Sequence, residues 1–272
     1  MSKPQYAYEH LQVERRGDDD AVLWVALFNP KARNALNEPM QRELIDLLGQ
    51  AKNDASVRCL VLRGAGENFC SGGDIKAFEN MTPASAEWHL IHRGGAIQTL
   101  MSSLGKPVIA AVEGWCLAGG TELALMCDFI YATDSAQFGL TEIRIGILPG
   151  WGGMTRLPHA VGQRRAREMI YRGEIIGAVE AQQWGLVNRL SAKAEDMYQA
   201  VANVSNEIAL KSAAAVRAAR GVIAESANVS EEVAMSLERG AVVFLATTPD
   251  MQEGVSAFLE KRTPKFNLIQ SN

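Results

Sequence analysis

The run Val108-Ile109-Ala110-Ala111-Val112, then Glu113-Gly114-Trp115-Cys116-Leu117-Ala118-Gly119-Gly120-Thr121-Glu122-Leu123-Ala124-Leu125, then Phe129-Ile130-Tyr131-Ala132, decides the architecture. Five apolar residues without alternation predict a strand buried on both faces, because a half-exposed strand would alternate with period two. Gly119-Gly120 closes the loop that follows and opens a helix carrying Glu122. Phe129–Ala132 predicts the next buried strand. A strand, a helix and a strand in so short a span predict a parallel pair joined by a crossover, the unit of α/β folds.

The same grammar extends outward. Ala21–Phe28 predicts a strand ended by Asn29-Pro30. Asn37 has the character of an N-cap, and Met40, Leu44, Leu47 and Leu48 follow at helical spacing. Cys59-Leu60-Val61-Leu62-Arg63 predicts a short buried strand closed by Gly64-Ala65-Gly66, and a long helix is predicted from Ala84 to Leu104. From about Lys193 strand signals thin out and Ala-rich amphipathic segments run to Arg262. The expected class is α/β with a division into a core over 1–192 and a helical C-terminal module over 193–272.

Composition narrows the function. The formal net charge of -4 argues against nucleic acid, whose phosphates favour a basic partner. No run reaches the roughly 18 apolar residues of a membrane span, and Met1-Ser2-Lys3-Pro4-Gln5-Tyr6 has no apolar signal core. Cys59, Cys70, Cys116 and Cys127 lack metal-site spacing and read as reduced thiols, so a cytoplasmic location and no metal are expected. His89 and His92, three apart, read as a helix face or a subunit contact, since no third ligand stands at sensible spacing.

Chemistry gathers at two glutamates. Glu122 and Glu142 each lie in an apolar, glycine-rich stretch, the second in Phe138-Gly139-Leu140-Thr141-Glu142-Ile143. A carboxylate in apolar company is paired, protonated or at work, because burying a lone charge is costly. Three glycine clusters accompany them: Ser71-Gly72-Gly73-Asp74, Ala118-Gly119-Gly120-Thr121 and Pro149-Gly150-Trp151-Gly152-Gly153. None has the spacing of a dinucleotide fingerprint or a P-loop, and no G-x-S-x-G elbow is present. Free N–H groups at the helix start, with one from the Ser71–Gly73 loop, can converge on a single carbonyl oxygen and stabilise an enolate.

These residues carry a resemblance. Asn34-Ala35-Leu36, Phe69-Cys70-Ser71-Gly72-Gly73-Asp74-Ile75-Lys76, Leu117–Leu123 and Phe138–Glu142 are similar, in order and spacing, to the signatures of the crotonase superfamily, most closely its enoyl-CoA hydratases. The likeness runs from about Val13 to Phe266. It implies a spiral of ββα units, a C-terminal helical module at a trimer interface (a trimer or a dimer of trimers), and an acyl-CoA thioester substrate with no separate cofactor. It implies further that Gly73 and Gly119 hold the thioester oxygen and that Glu122 and Glu142 are the catalytic pair. Arg33, Ala35, Ser71, Gly73, Asp74 and Ile75 map near the CoA, and Lys261 maps to a segment reaching the CoA of a neighbouring subunit.

The chemistry supports the same roles. Hydration of a 2-enoyl thioester needs a base for water at C3, an acid for C2 and donors for the thioester oxygen. Glu122 is assigned to the water and Glu142 to the proton. Gly73 replaces an alanine common in the family, and Trp151 stands where small residues are usual. With Trp115, the Trp151 indole is expected at the acyl pocket, though packing on the surface or at a subunit contact is an equal reading of Trp151. An isomerase, hydrolase or lyase of the same superfamily is the alternative activity.

Overall fold

The computed structural model describes residues 6–266; of the N-terminal stretch noted above, Met1 to Gln5 fall outside the described residues. The chain opens with β1 (Leu11–Arg16) and β2 (Val22–Leu27), then α1 (Glu38–Asn53) and β3 (Cys59–Gly64). Next come α2 (Pro83–His89), a π-helical turn at Leu90–Gly95, and α3 (Ala96–Ser103). The central run folds as β4 (Val108–Val112), β5 (Trp115–Leu117), α4 (Gly119–Leu125), β6 (Phe129–Thr133) and β7 (Gln137–Gly139). Then follow α5 (Gly153–Val161), α6 (Gln163–Arg172), β8 (Ile175–Gly177), α7 (Ala178–Gln183) and β9 (Arg189–Ser191). Four helices close the described part of the chain: α8 (Ala194–Ala209), α9 (Ala213–Ser226), α10 (Glu231–Leu245) and α11 (Pro249–Leu259).

Six strands form the main sheet in the order β1-β2-β3-β4-β6-β9. Only β1 pairs antiparallel; every other neighbour is parallel. A parallel sheet needs cover on both faces, and period-two alternation supplies it. Leu23, Val25, Leu60, Leu62, Val108 and Ala110 point to one core with Met40, Leu44 and Leu47 of α1 and Ile97 of α3. Val22, Trp24, Cys59, Val61, Ile109 and Ala111 point to the other, closed by Met197 and Val201 of α8.

The predicted strands and α1 stand where the sequence puts them, and Asn37 caps α1 by accepting from the Met40 N–H at 2.9 Å. The long helix from Ala84 is helical throughout but contains the π turn. A second sheet, β5-β7-β8, stands apart from the first, and bridges join Leu36 to Gly73 and Cys70 to Cys116. These pairings draw the loops at the carboxyl ends of β2, β3 and β4 together. The predicted division at 193 falls one residue before α8, which lies on the main sheet. Among the described residues, α9 and α10 bury no residue of their own, and no helix is long and apolar enough to cross a membrane.

Candidate active site

The site begins with a close approach of two loops. Leu36 donates its N–H to the Gly72 carbonyl at 2.8 Å and accepts from the Asp74 N–H at 3.5 Å, which leaves the Gly73 N–H outside the bridge. Across from it, a side-chain carbon on Gly119 would sit 3.6 Å from the Gly73 nitrogen. Gly119 is the first residue of α4, so its own N–H has no carbonyl within the helix to meet. Gly120 is required here: a Cβ would lie 2.4 Å from the Cys70 carbonyl oxygen. Ala118 enters the helix at φ 48°, and its N–H donates to the Gly139 carbonyl at 2.7 Å. Thr121 Oγ1 reaches the Cys116 carbonyl and, at 3.0 Å, that of Gly139. The helix start is thereby pinned between β5 and β7, with the N–H groups of Gly73 and Gly119 side by side and without an acceptor among the described residues.

One step into α4, Glu122 is only 2% exposed. Its Oε1 accepts from the Trp151 N–H at 2.6 Å and the Gly153 N–H at 2.9 Å. Burial raises its carboxyl to about 7, against the pull of those donors and of the Arg156 guanidinium toward the charged form. Arg156 in turn donates to the Trp151 carbonyl and to Gln98 Oε1, both at 3.3 Å, holding the donor segment in place.

Glu142 opens a 3₁₀ turn, Glu142–Ile145, and is 8% exposed. Its Oε2 is buried and meets no donor. Burial raises this carboxyl to about 7 as well, its own N–H lowers it, and the charge of nearby Glu122 raises it. The two environments differ in kind. Glu122 is furnished with donors that stabilise a carboxylate, whereas Glu142 lacks them on one oxygen and is favoured as the neutral acid.

The residues that the resemblance assigns to CoA fall in two places. Ser71 ties its loop to the loop after β2, its N–H donating to the Arg33 carbonyl and its Oγ to that of Ala32, both at 3.0 Å. Arg33, buried Ala35, Ser71, Gly73, Asp74 and exposed Ile75 are thus brought together beside the N–H pair. Asp74 caps its turn by accepting from the Lys76 N–H at 3.1 Å. Lys261, in a left-handed conformation after α11, is joined to none of them by a described contact.

The two tryptophans part company. Trp115 lies under the Arg33 guanidinium, 4.3 Å from ring centre to carbon. Trp151 is 7% exposed, so surface packing is excluded for it in the chain itself. Its indole stacks on His89 at 6.1 Å and fills the place where Gly94, in the π turn, has no side chain. His92 meets Trp88 instead, and no three of His, Cys, Asp and Glu gather as a metal site among the described residues. Arg156, Gln98 and the N–H groups of Trp151 and Gly153 carry no signal in the sequence. Only the glycine cluster at 149–153 marked that segment, and a bond spanning 29 or 31 residues leaves no local pattern.

Comparison with known proteins follows the same lines. The profile of the enoyl-CoA hydratase/isomerase family matches residues 17–268. A crotonyl-CoA hydratase of Syntrophomonas wolfei is 37% identical over 96% of this chain and 98% of its own. A 2,3-dehydroadipyl-CoA hydratase of Escherichia coli is 37% identical over 90% of this chain and 94% of its own. Among solved structures, an enoyl-CoA hydratase from Bacillus anthracis superposes with a TM-score of 0.88 at 35% identity, over 95% of this chain and 99% of that one.

Proposed function

The chain belongs to the enoyl-CoA hydratase/isomerase family, and from that we propose that it is an enoyl-CoA hydratase adding water syn across the 2,3 double bond of an enoyl-CoA thioester. The observation that carries this is the unlike pair of buried carboxyls, Glu122 with two N–H donors on one oxygen and Glu142 with an oxygen that has none. Glu122, ionised, orients a water and takes one of its protons as the oxygen bonds to C3. The π electrons pass to the thioester as an enolate, held by the N–H groups of Gly73 and Gly119. Glu142 delivers its proton to C2. The cycle leaves Glu122 protonated and Glu142 ionised, and proton exchange resets them.

In this reading the loop cluster of Arg33, Ala35, Ser71, Gly73, Asp74 and Ile75 receives the CoA, supported by its continuity with the N–H pair. Trp151 bounds the acyl end and Trp115, with Arg33, the mouth. The helical module at 193–272 carries the contacts of a trimer or dimer of trimers, and Lys261 serves a neighbour's CoA. Support for the oligomer comes from Ile223, Val242, Val243 and Phe244, large apolar side chains left exposed on α9 and α10. Four unpaired thiols fit a cytoplasmic setting.

Loss of conjugated absorbance from crotonyl-CoA tests the assignment. Glu122→Gln and Glu142→Gln are each expected to cut kcat by about 10²–10⁴. Near wild-type turnover in both would end it. An isomerase would instead keep turnover of a 3-enoyl thioester after loss of one glutamate.

A further inference from the structure

The main sheet has a second end. The active-site loops leave the carboxyl ends of β2, β3 and β4, while Arg58 and Lys106 stand just ahead of β3 and β4 at the amino ends. A cavity of about 260 Å³ lies there, between the end of α1, these two residues, and the α8–α9 junction. Five ionisable side chains line it, Lys52, Arg58, Lys106, Lys211 and Arg217, and all five are cations.

Lys106 forms its floor, 5% exposed. The ammonium donates to the carbonyls of Ala51 and Asp54 at the end of α1, which occupies two of its three protons. Arg217 passes close over Gly105, where a Cβ would be 3.0 Å from Arg217 Nε. Neither the Arg58 nor the Arg217 guanidinium has a hydrogen-bond acceptor among the described residues. α9, with 14 residues and Ser212 as its cap, begins at the cavity wall and adds the positive end of its dipole.

Such crowding is unfavourable by itself. Burial lowers the Lys106 ammonium to about 8; Asp54 raises it, and Arg217, Arg58 and Arg15 lower it further. Burial lowers Arg58 too, with Asp250 opposing and Arg217 adding to the effect. Lys106 is buried and Arg58 half-buried, whereas Lys52, Lys211 and Arg217 are exposed and screened by water, so the repulsion falls chiefly on Arg58 and Lys106, and an anion between them relieves it. Guanidinium forks match phosphate oxygens two at a time, and a group of high charge density suits this many cations better than a single carboxylate.

We propose that this cavity, remote from Glu122 and walled by Arg58, Lys106 and Arg217, binds the diphosphate group of a small anionic ligand. Inorganic pyrophosphate is the probe, titrated calorimetrically into the full-length protein at fixed ionic strength. One saturable site per chain is expected. The double variant Arg58→Gln, Arg217→Gln is expected to weaken it about tenfold or more, and the rim variant Lys52→Gln to weaken it less. Because the double variant removes a repulsion, its Tm without pyrophosphate is expected to equal or exceed that of the wild type. Absence of saturable binding, or equal affinity in wild type and both variants, overturns the proposal. Crotonyl-CoA separates this site from the substrate's own diphosphate: its KM is expected to stay within about twofold in the double variant. A rise of about tenfold would assign these cations to the substrate and overturn a separate site.

Discussion

Glu142 bears a cost that its neighbours do not relieve. With one oxygen buried and undonated, its carboxyl titrates near 7 in the folded protein against an ordinary value of 4.5. A raised acid makes the folded state bind more protons than the unfolded one between those values, so its contribution to stability falls as pH rises. The penalty is absent below about 4.5 and complete above about 7. Glu142→Gln removes the ionisation, and is therefore expected to raise Tm at pH 8 while leaving it little changed at pH 4.5; an equal shift at both values would refute the cause. Activity carries the same signature. Hydration requires one carboxyl of the pair charged and the other neutral, so kcat/KM is expected to form a bell centred near pH 7, falling tenfold per unit on each flank. A plateau from pH 5 to 9 would contradict it.

The elements that place these carboxyls differ in how openly the sequence declares them. β2, β3, β4 and β6 are legible because burial on both faces makes them continuous apolar runs, and α1 because Asn37 announces it. β1 is not, since Gln12 and Glu14 face solvent and Arg15 and Arg16 close it. β5, β7, β8 and β9 are three residues each, too short for periodicity to register. At the site, Glu122, Glu142 and the glycines at 73 and 119 stand out by local pattern. The donors to Glu122 do not, because they come from main chain that only the fold brings near. The π turn belongs with the hidden features. It sets Gly94 against the Trp151 indole, and a Cβ at Gly94 would lie 2.3 Å from Trp151 Nε1. Gly94→Ala is expected to destabilise by about 1–3 kcal/mol and to lower kcat, as the displaced segment carries the N–H groups that hold Glu122. Denaturant unfolding and steady-state rates measure both, and unchanged values would detach the π turn from the site.

At the scale of the whole molecule, an α/β core holds the two buried carboxyls and the C-terminal helices extend it. Large exposed apolar side chains on α9 and α10 are expected to be covered by other copies of the chain. Val243→Glu with Phe244→Glu should convert the assembly to smaller species in sedimentation, with the far-UV spectrum retained. A wild-type protein that sediments as a monomer would refute the covered face. Two ends of one sheet then have opposite electrical characters: buried acids at the carboxyl ends of its strands, crowded cations at the amino ends.

The meeting of Gly94 and Trp151 also constrains how this chain can change. A methyl at position 94 and an indole at position 151 compete for one space, while a smaller residue at 151 tolerates either state of 94. A lineage that starts from a larger residue at 94 therefore reaches this pair at least cost by emptying position 94 first, and one leaving the pair does so by giving up the indole before 94 grows. The order of substitution is written into a contact, and reconstructed intermediates would show the forbidden route as a pair of changes that fail together and succeed apart.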